Sequence, residues 1–320
     1  MYIRHRFVLL FTLLISPLPL MFAHEKSNFV VNKTYSADGH PHLIAVNEDT
    51  RHIYTTDVQA GTVTLFNADS GLRLATSNTG AGAHSVAVDQ KRNIIYVSNR
   101  GADTLSVMDG ETLEKINDIQ VGKAPHGIDL NFKRKQIYVS NTGSHDVSVI
   151  DMQTHQLIKT IPAGMEPWGV THHPEQPWIY TSNTGEGSIS RIDINTGETL
   201  AKTTVGGRPW SIRINKRTNQ VYATNESLAV LSVLKNDVLI AEIPVGLAPH
   251  GAAFVNEHLY AVAATGANQI TLIDLDINKV AQTIMVDAGP TSLSYDSERK
   301  RIYVACQTAG TVNELKPIDD

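Results

Sequence analysis

Seven tyrosines keep time along this chain: Tyr54, Tyr96, Tyr138, Tyr180, Tyr222, Tyr260 and Tyr303. The first five are spaced 42 residues apart, and the last two intervals are 38 and 43. A fixed period of this length predicts a repeat architecture, in which each unit buries its apolar faces only by stacking on its neighbours. The unit spanning residues 122–164 holds four short apolar runs, His126–Leu130, Gln136–Ser140, Val147–Asp151 and Leu157–Pro162. Turn signals such as Asn141-Thr142-Gly143 separate them. Each run has the length of a strand and is too short for a helix. Four strands in a repeat of this size predict a propeller blade. A tyrosine at one position of every blade reads as architecture, packed between adjacent sheets with its hydroxyl bonded.

The second run of each unit is IYTTD at 53–57, IYVSN at 95–99 and 137–141, IYTSN at 179–183, VYATN at 221–225 and IYVAC at 302–306, with a degenerate LYAVA at 259–263. These segments resemble the YVTN family of seven-bladed propellers, and most closely its exported YncE-like bacterial members. The resemblance covers nearly the whole chain after the first residues. The expected fold is all-β: a seven-bladed β-propeller of four-stranded antiparallel blades, with repeats from about residue 39. After Tyr303 the chain has room for one further strand, Thr311 to Leu315. The segment Phe29–Tyr35 has strand character and is expected to complete the last blade, which removes the open edges that invite aggregation.

Arg4 and Arg6 precede an apolar run from Phe7 to Leu20, and Ala23 is a small residue at a plausible cleavage point. This pattern predicts a secretory signal peptide over 1–23, a single propeller domain over 24–320, and export to the periplasm with no membrane span after cleavage. Without Arg4 and Arg6 the chain carries 25 basic against 32 acidic side chains. That balance argues against a general nucleic-acid surface, although the YncE-like resemblance implies DNA binding. Cys306 is the single cysteine, so no internal disulfide is expected. The chain is expected to be a monomer.

Strand order places the loop leading into each blade and the loop between its second and third strands on one face. The residue that begins the first strand borders the central channel there. In chain order it is His42, His84, His126, Trp168, Trp210, His250 and Thr291. Histidine supplies only 13 of 320 residues, so four at seven equivalent positions is not scatter. A structural role at the blade junctions is the plainer explanation. The functional one is a ligand site: neutral imidazoles suit a transition metal ion such as zinc, copper or iron, with His42, His84, His126 and His250 as the candidate ligands. Trp168 and Trp210 suit a flat or cationic molecule. Asn141 and Asn183, at the ends of second strands, are candidates on the same face, although Asn at such places commonly forms turns. Cys306 occupies the equivalent place in the last blade and reads as a small buried thiol.

Two functions compete. The first is a binding or interaction protein, whose partner is a small molecule, a metal complex or another periplasmic protein. The second, resting on similarity to propeller lactonases and streptogramin lyases, is an enzyme with His126 or His250 as general base; this is the lesser reading. Asp274 to Asn278 looks like a calcium loop but has Lys279 where Gly is required and Met285 where Glu is required, so it reads as a turn. His24 would be the first residue after cleavage and is a weak copper-chelating candidate.

Overall fold

The computed structural model describes residues 28–37 and 39–318. The expected leader and His24 lie outside the described residues. Within them the chain forms 28 strands, from β1 (Phe29–Ser36) to β28 (Thr311–Pro317), arranged as seven four-stranded antiparallel sheets. The expected propeller is therefore what forms. The third blade is representative: β10 (Pro125–Asn131), β11 (Gln136–Asn141), β12 (Asp146–Asp151) and β13 (Gln156–Pro162) pair in chain order. Burial declines outward. All but the first residue of β11 are buried, whereas β13 is mostly exposed. The β-branched and aromatic second strand thus lies in the core, whereas the fourth strand is the outer edge and leaves even Leu157 and Ile158 exposed. No helix of the described residues is long and apolar enough to cross a membrane.

The periodic tyrosines join consecutive blades. Tyr54 packs with Val86 and Ile95 of the second blade, and Tyr138 with Val170 and Ile179 of the fourth. Tyr138 donates its hydroxyl hydrogen to Gln136 Oε1 and Tyr222 to Gln220 Oε1, each at 2.8 Å. Tyr260 departs from the expectation, because its buried hydroxyl has no partner. Pro249 pairs with Ala264 as Pro125 pairs with Asn141, so Ala261 holds the place of Tyr138, and Tyr260 stands one residue earlier on its strand, packed with Tyr222 of the fifth blade.

The one short interval, 38 residues, has three causes. In the fifth blade β20 (Val230–Lys235) and β21 (Val238–Pro244) are joined by Asn236-Asp237 alone, both in the left-handed region at φ 50° and 62°. This two-residue hairpin turn replaces the four-residue turn between β12 and β13. In the sixth blade the connection from strand one to strand two is one residue shorter, since Pro249 pairs with Ala264 and Pro125 with Asn141, and Tyr260 also stands one place earlier on its strand than Tyr138 does.

The ring closes as expected. The last sheet runs β1-β28-β27-β26, with β26 (Pro290–Asp296) innermost and β27 (Arg301–Cys306) next. β1 pairs with β28 from Phe29↔Pro317 to Ser36↔Thr311. Phe29 is buried beside Leu315. Gln282 of the sixth blade bonds both the N–H and the carbonyl of Phe29 at 2.8 Å, so the latch grips a second blade as well.

Candidate functional site

Each first strand bulges at the same place. In the third blade Pro125 pairs with Asn141, and the next pairing is Ile128 with Val139. The same shift follows Pro41, Ala83, Pro167, Pro209, Pro249 and Pro290. A bulge bends its strand and re-aims the side chain it carries. The residues standing in these bulges are His42, His84, His126, Trp168, Trp210, His250 and Thr291, so backbone geometry turns each of them toward the channel mouth.

A hydroxyl on the second strand stabilises five of the seven bulges, those of the first five blades. The N–H groups of Leu43, Ser85, Gly127, Gly169 and Ser211, which lie at the register shift, donate to Thr56, Ser98, Ser140, Ser182 and Thr224 at 2.9 to 3.1 Å. The same hydroxyls donate onward to the carbonyls of the next blade's ring residues. Thr56 reaches His84 at 2.6 Å, Ser98 reaches His126 at 2.7 Å, Ser140 reaches Trp168 at 2.6 Å, Ser182 reaches Trp210, and Thr224 reaches His250 at 2.7 Å. In the last blade this place is Ala305, and the ring residue Thr291 bonds the His42 carbonyl itself at 2.5 Å. The close approach explains the glycine after His126: a Cβ on Gly127 would lie 2.8 Å from the Trp168 carbonyl oxygen. Ser140→Ala leaves the buried Gly127 N–H and Trp168 carbonyl unpaired and is expected to cost about 1–3 kcal/mol. Ser140→Thr, which restores the residue used in the first and fifth blades, is expected to be near neutral. Urea midpoints of the two variants check this, and an alanine variant as stable as the parent would exclude the bridging role.

The ring side chains touch one another around the mouth. His42 Nε2 and His84 Nε2 are 3.1 Å apart, a hydrogen bond between two imidazoles. Centroid separations are 4.2 Å for His84–His126, 3.9 Å for His126–Trp168 and 4.1 Å for Trp168–Trp210. Trp210 stacks on His250 at 4.1 Å with planes 7° apart. His126 is fully buried, and Trp168, Trp210 and His250 keep partial exposure. Beneath the ring lies a central cavity of about 110 Å³ bounded by the first strands of all seven blades. At roughly 10–15 Å³ per water this holds several waters or a small organic molecule.

Burial keeps the imidazoles neutral. Desolvation pushes His42 down to about 4 and His126 down to about 3, and His84 falls well below its ordinary value for the same reason. His250 is lowered by burial too, against an opposing pull from Glu226, whose Oε1 lies 3.7 Å from His250 Nε2. His126 Nδ1 contacts the Ala124 carbonyl at 3.0 Å, which places its hydrogen there and leaves Nε2 a bare acceptor. Four buried ring nitrogens of residues lining the cavity have no protein partner: His42 Nδ1, His84 Nδ1, Trp210 Nε1 and His250 Nδ1. His126 Nε2, beside them, also has none.

Other residues singled out in the sequence lie elsewhere. Asn141 and Asn183 are buried within their blades, where Asn141 donates to Ser148 Oγ at 2.9 Å and Asn183 to Ser190 Oγ at 2.8 Å. They tie the second strand to the third and do not join the cavity. Cys306 is buried in an apolar cluster, and desolvation raises its thiol to about 12. Among the described residues no three His, Cys, Asp or Glu side chains are grouped to hold a metal ion. Asp274 ends a third strand, and the segment after it is the expected turn. One residue sequence reasoning passed over is Arg213, which lines the cavity from the fifth blade.

The model of the YncE-like beta-propeller family matches residues 68–178. No curated protein matches the chain. In solved structures 1611 chains are similar, so the architecture by itself selects no activity. One of them is described as Kuenenia stuttgartiensis Hydrazine Synthase, with 19% identity over 88% of this chain and 96% of that chain and a TM-score of 0.71. At that identity the likeness is one of fold.

Proposed function

We propose that this chain, a seven-bladed propeller of the YncE-like family, is a binding protein whose site is the aromatic channel mouth and the cavity beneath it. The observation that carries this reading is the set of four unpartnered, buried ring nitrogens on side chains lining one cavity. Buried polar groups are rarely left without a partner, and such exceptions need an explanation. Here a polar guest that reaches these nitrogens as the ring side chains shift supplies it. The neutrality of the imidazoles supports a guest held by hydrogen bonds and ring contacts more than by imidazolium charge. The contact of His250 with Glu226 supports a second reading, in which Glu226 orients His250 as a general base for lactone opening.

One experiment addresses both. Small planar probes (imidazole, benzamide and benzoate) are titrated while the emission of Trp168 and Trp210 is followed, and γ-butyrolactone hydrolysis is followed by pH-stat. The binding reading expects a saturable change in emission with at least one probe, lost in Trp210→Phe or His250→Gln. An unresponsive spectrum with all three, or variants that respond as the parent does, overturns it. Lactone turnover abolished by Glu226→Gln would establish the second reading.

A further inference from the structure

Arg213 is the one permanently charged side chain among those bounding the central cavity in the described residues. Its Nη1 donates to the Ile212 carbonyl at 2.9 Å, and among the described residues no carboxylate lies within ion-pair distance of it. Asp129 is the anion near enough to feel Arg213, but its Oδ2 is occupied by the backbone N–H and the Nδ1 of His172, both at 2.6 Å. A guanidinium has five donors and no acceptor, so Arg213 keeps donors that a guest in the cavity can engage. The equivalent places on the other first strands are Ala45, Ala87, Asp129, Thr171, Ala253 and Ser294. One blade therefore supplies a cation where most of the others supply small or neutral side chains. Trp210 Nε1, on the same strand β18 (Pro209–Ile214), is a second buried donor without a partner, and an indole nitrogen can only donate.

We propose that the cavity ligand is a small planar carboxylate, its carboxylate held by Arg213 with the Trp210 indole N–H and its ring set against the aromatic wall of Trp168, Trp210 and His250. The proposal rests on the binding reading above and narrows it to a chemical class. An Arg–carboxylate contact is charge-assisted and can be bidentate. The imidazoles add no competing cation, because burial holds His42, His84 and His250 in the neutral form.

The test compares benzoate with benzamide, which has nearly the same shape and no charge, by tryptophan emission and by calorimetry on the whole chain. Benzoate is expected to bind at least about tenfold more tightly, the effect of one charge-assisted hydrogen bond. Arg213→Gln is expected to abolish that preference while leaving benzamide within about twofold of the parent, since the shared ring contacts remain. Arg213→Lys, which keeps the charge but not the fork, is expected to retain part of it. Equal binding of the two probes, or an unchanged preference in a folded Arg213→Gln protein, overturns the carboxylate proposal but leaves the binding site standing. Absence of binding by every probe, charged or neutral, overturns both. If Arg213→Gln fails to fold, the benzoate-to-benzamide ratio in the parent and in Arg213→Lys decides: a ratio near one in the parent overturns the proposal, and a preference reduced in Arg213→Lys supports it.

Discussion

A chain shortened to begin at Ala37 is expected to lose the strand that latches its ring. The last sheet would then consist of β26, β27 and β28 alone, with the outer edge of β28 unpaired along the register from Thr311 to Pro317. Phe29 and Tyr35 are the buried side chains of the latch, and large-to-small substitution of one such aromatic already costs about 3–5 kcal/mol. Removing the strand also deletes the Gln282 bonds to Phe29 and the bond from the Tyr35 hydroxyl to Glu314. Combined losses of this size correspond to roughly 10 °C or more in the thermal midpoint for a domain of this class, and the bare edge offers a template for association. Calorimetry with light scattering measures both effects. A synthetic peptide carrying Phe29–Ser36 should restore part of the lost midpoint by re-pairing with β28. A shortened chain that melts within about 2 °C of the parent and stays monomeric would exclude the latch as a determinant of stability.

Acid should weaken the fold well before its carboxylates protonate. Unfolded imidazoles titrate near 6.5, whereas burial holds His42 at about 4 and His126 at about 3 in the folded chain. Between those limits the unfolded state binds more protons, so stability falls as pH falls. Their contribution is complete above about pH 6.5 and is lost progressively toward pH 4 for His42 and pH 3 for His126. For His42 alone the displacement corresponds to about 3 kcal/mol, and His84 and His250 add to it with the same sign. Asp129, held below its ordinary value against its own burial chiefly by the His172 bond, acts in the same direction but below its usual range. Urea midpoints at pH 7.5, 6 and 5 are expected to decline steadily, and His126→Phe should flatten that slope whatever it does to stability at pH 7.5. Equal midpoints from pH 7.5 to 5 would mean that the ring is solvated and charged, contrary to its burial.

The architecture was legible because its causes are local. Strand-length runs, Asn-Thr-Gly turns and the tyrosine beat all act over a few residues, and counting from Tyr138 was enough to place His126 and its equivalents at one mouth. Closure by Phe29–Tyr35 was legible for the same reason, since the last repeat lacked a strand and the first had one to spare. Other features depend on contacts between blades. The hydroxyls of Ser98, Ser140 and Ser182 look like ordinary strand residues until the register shift shows which N–H groups donate to them. Arg213 was illegible because its position carries no repeating residue type. The bond from Asn141 to Ser148 was illegible too, since nothing in a single strand reveals that Ser148 of the next one receives its amide.

The repeated bulge has a consequence for how such a mouth can change. Imidazole, indole and hydroxyl already occupy it at the same register shift of the first strand. Replacing the occupant of one blade therefore alters one seventh of the rim and leaves the remaining sectors in place. Recognition in this molecule is composed sector by sector, and its specificity can be revised by single replacements without rebuilding the frame that displays them.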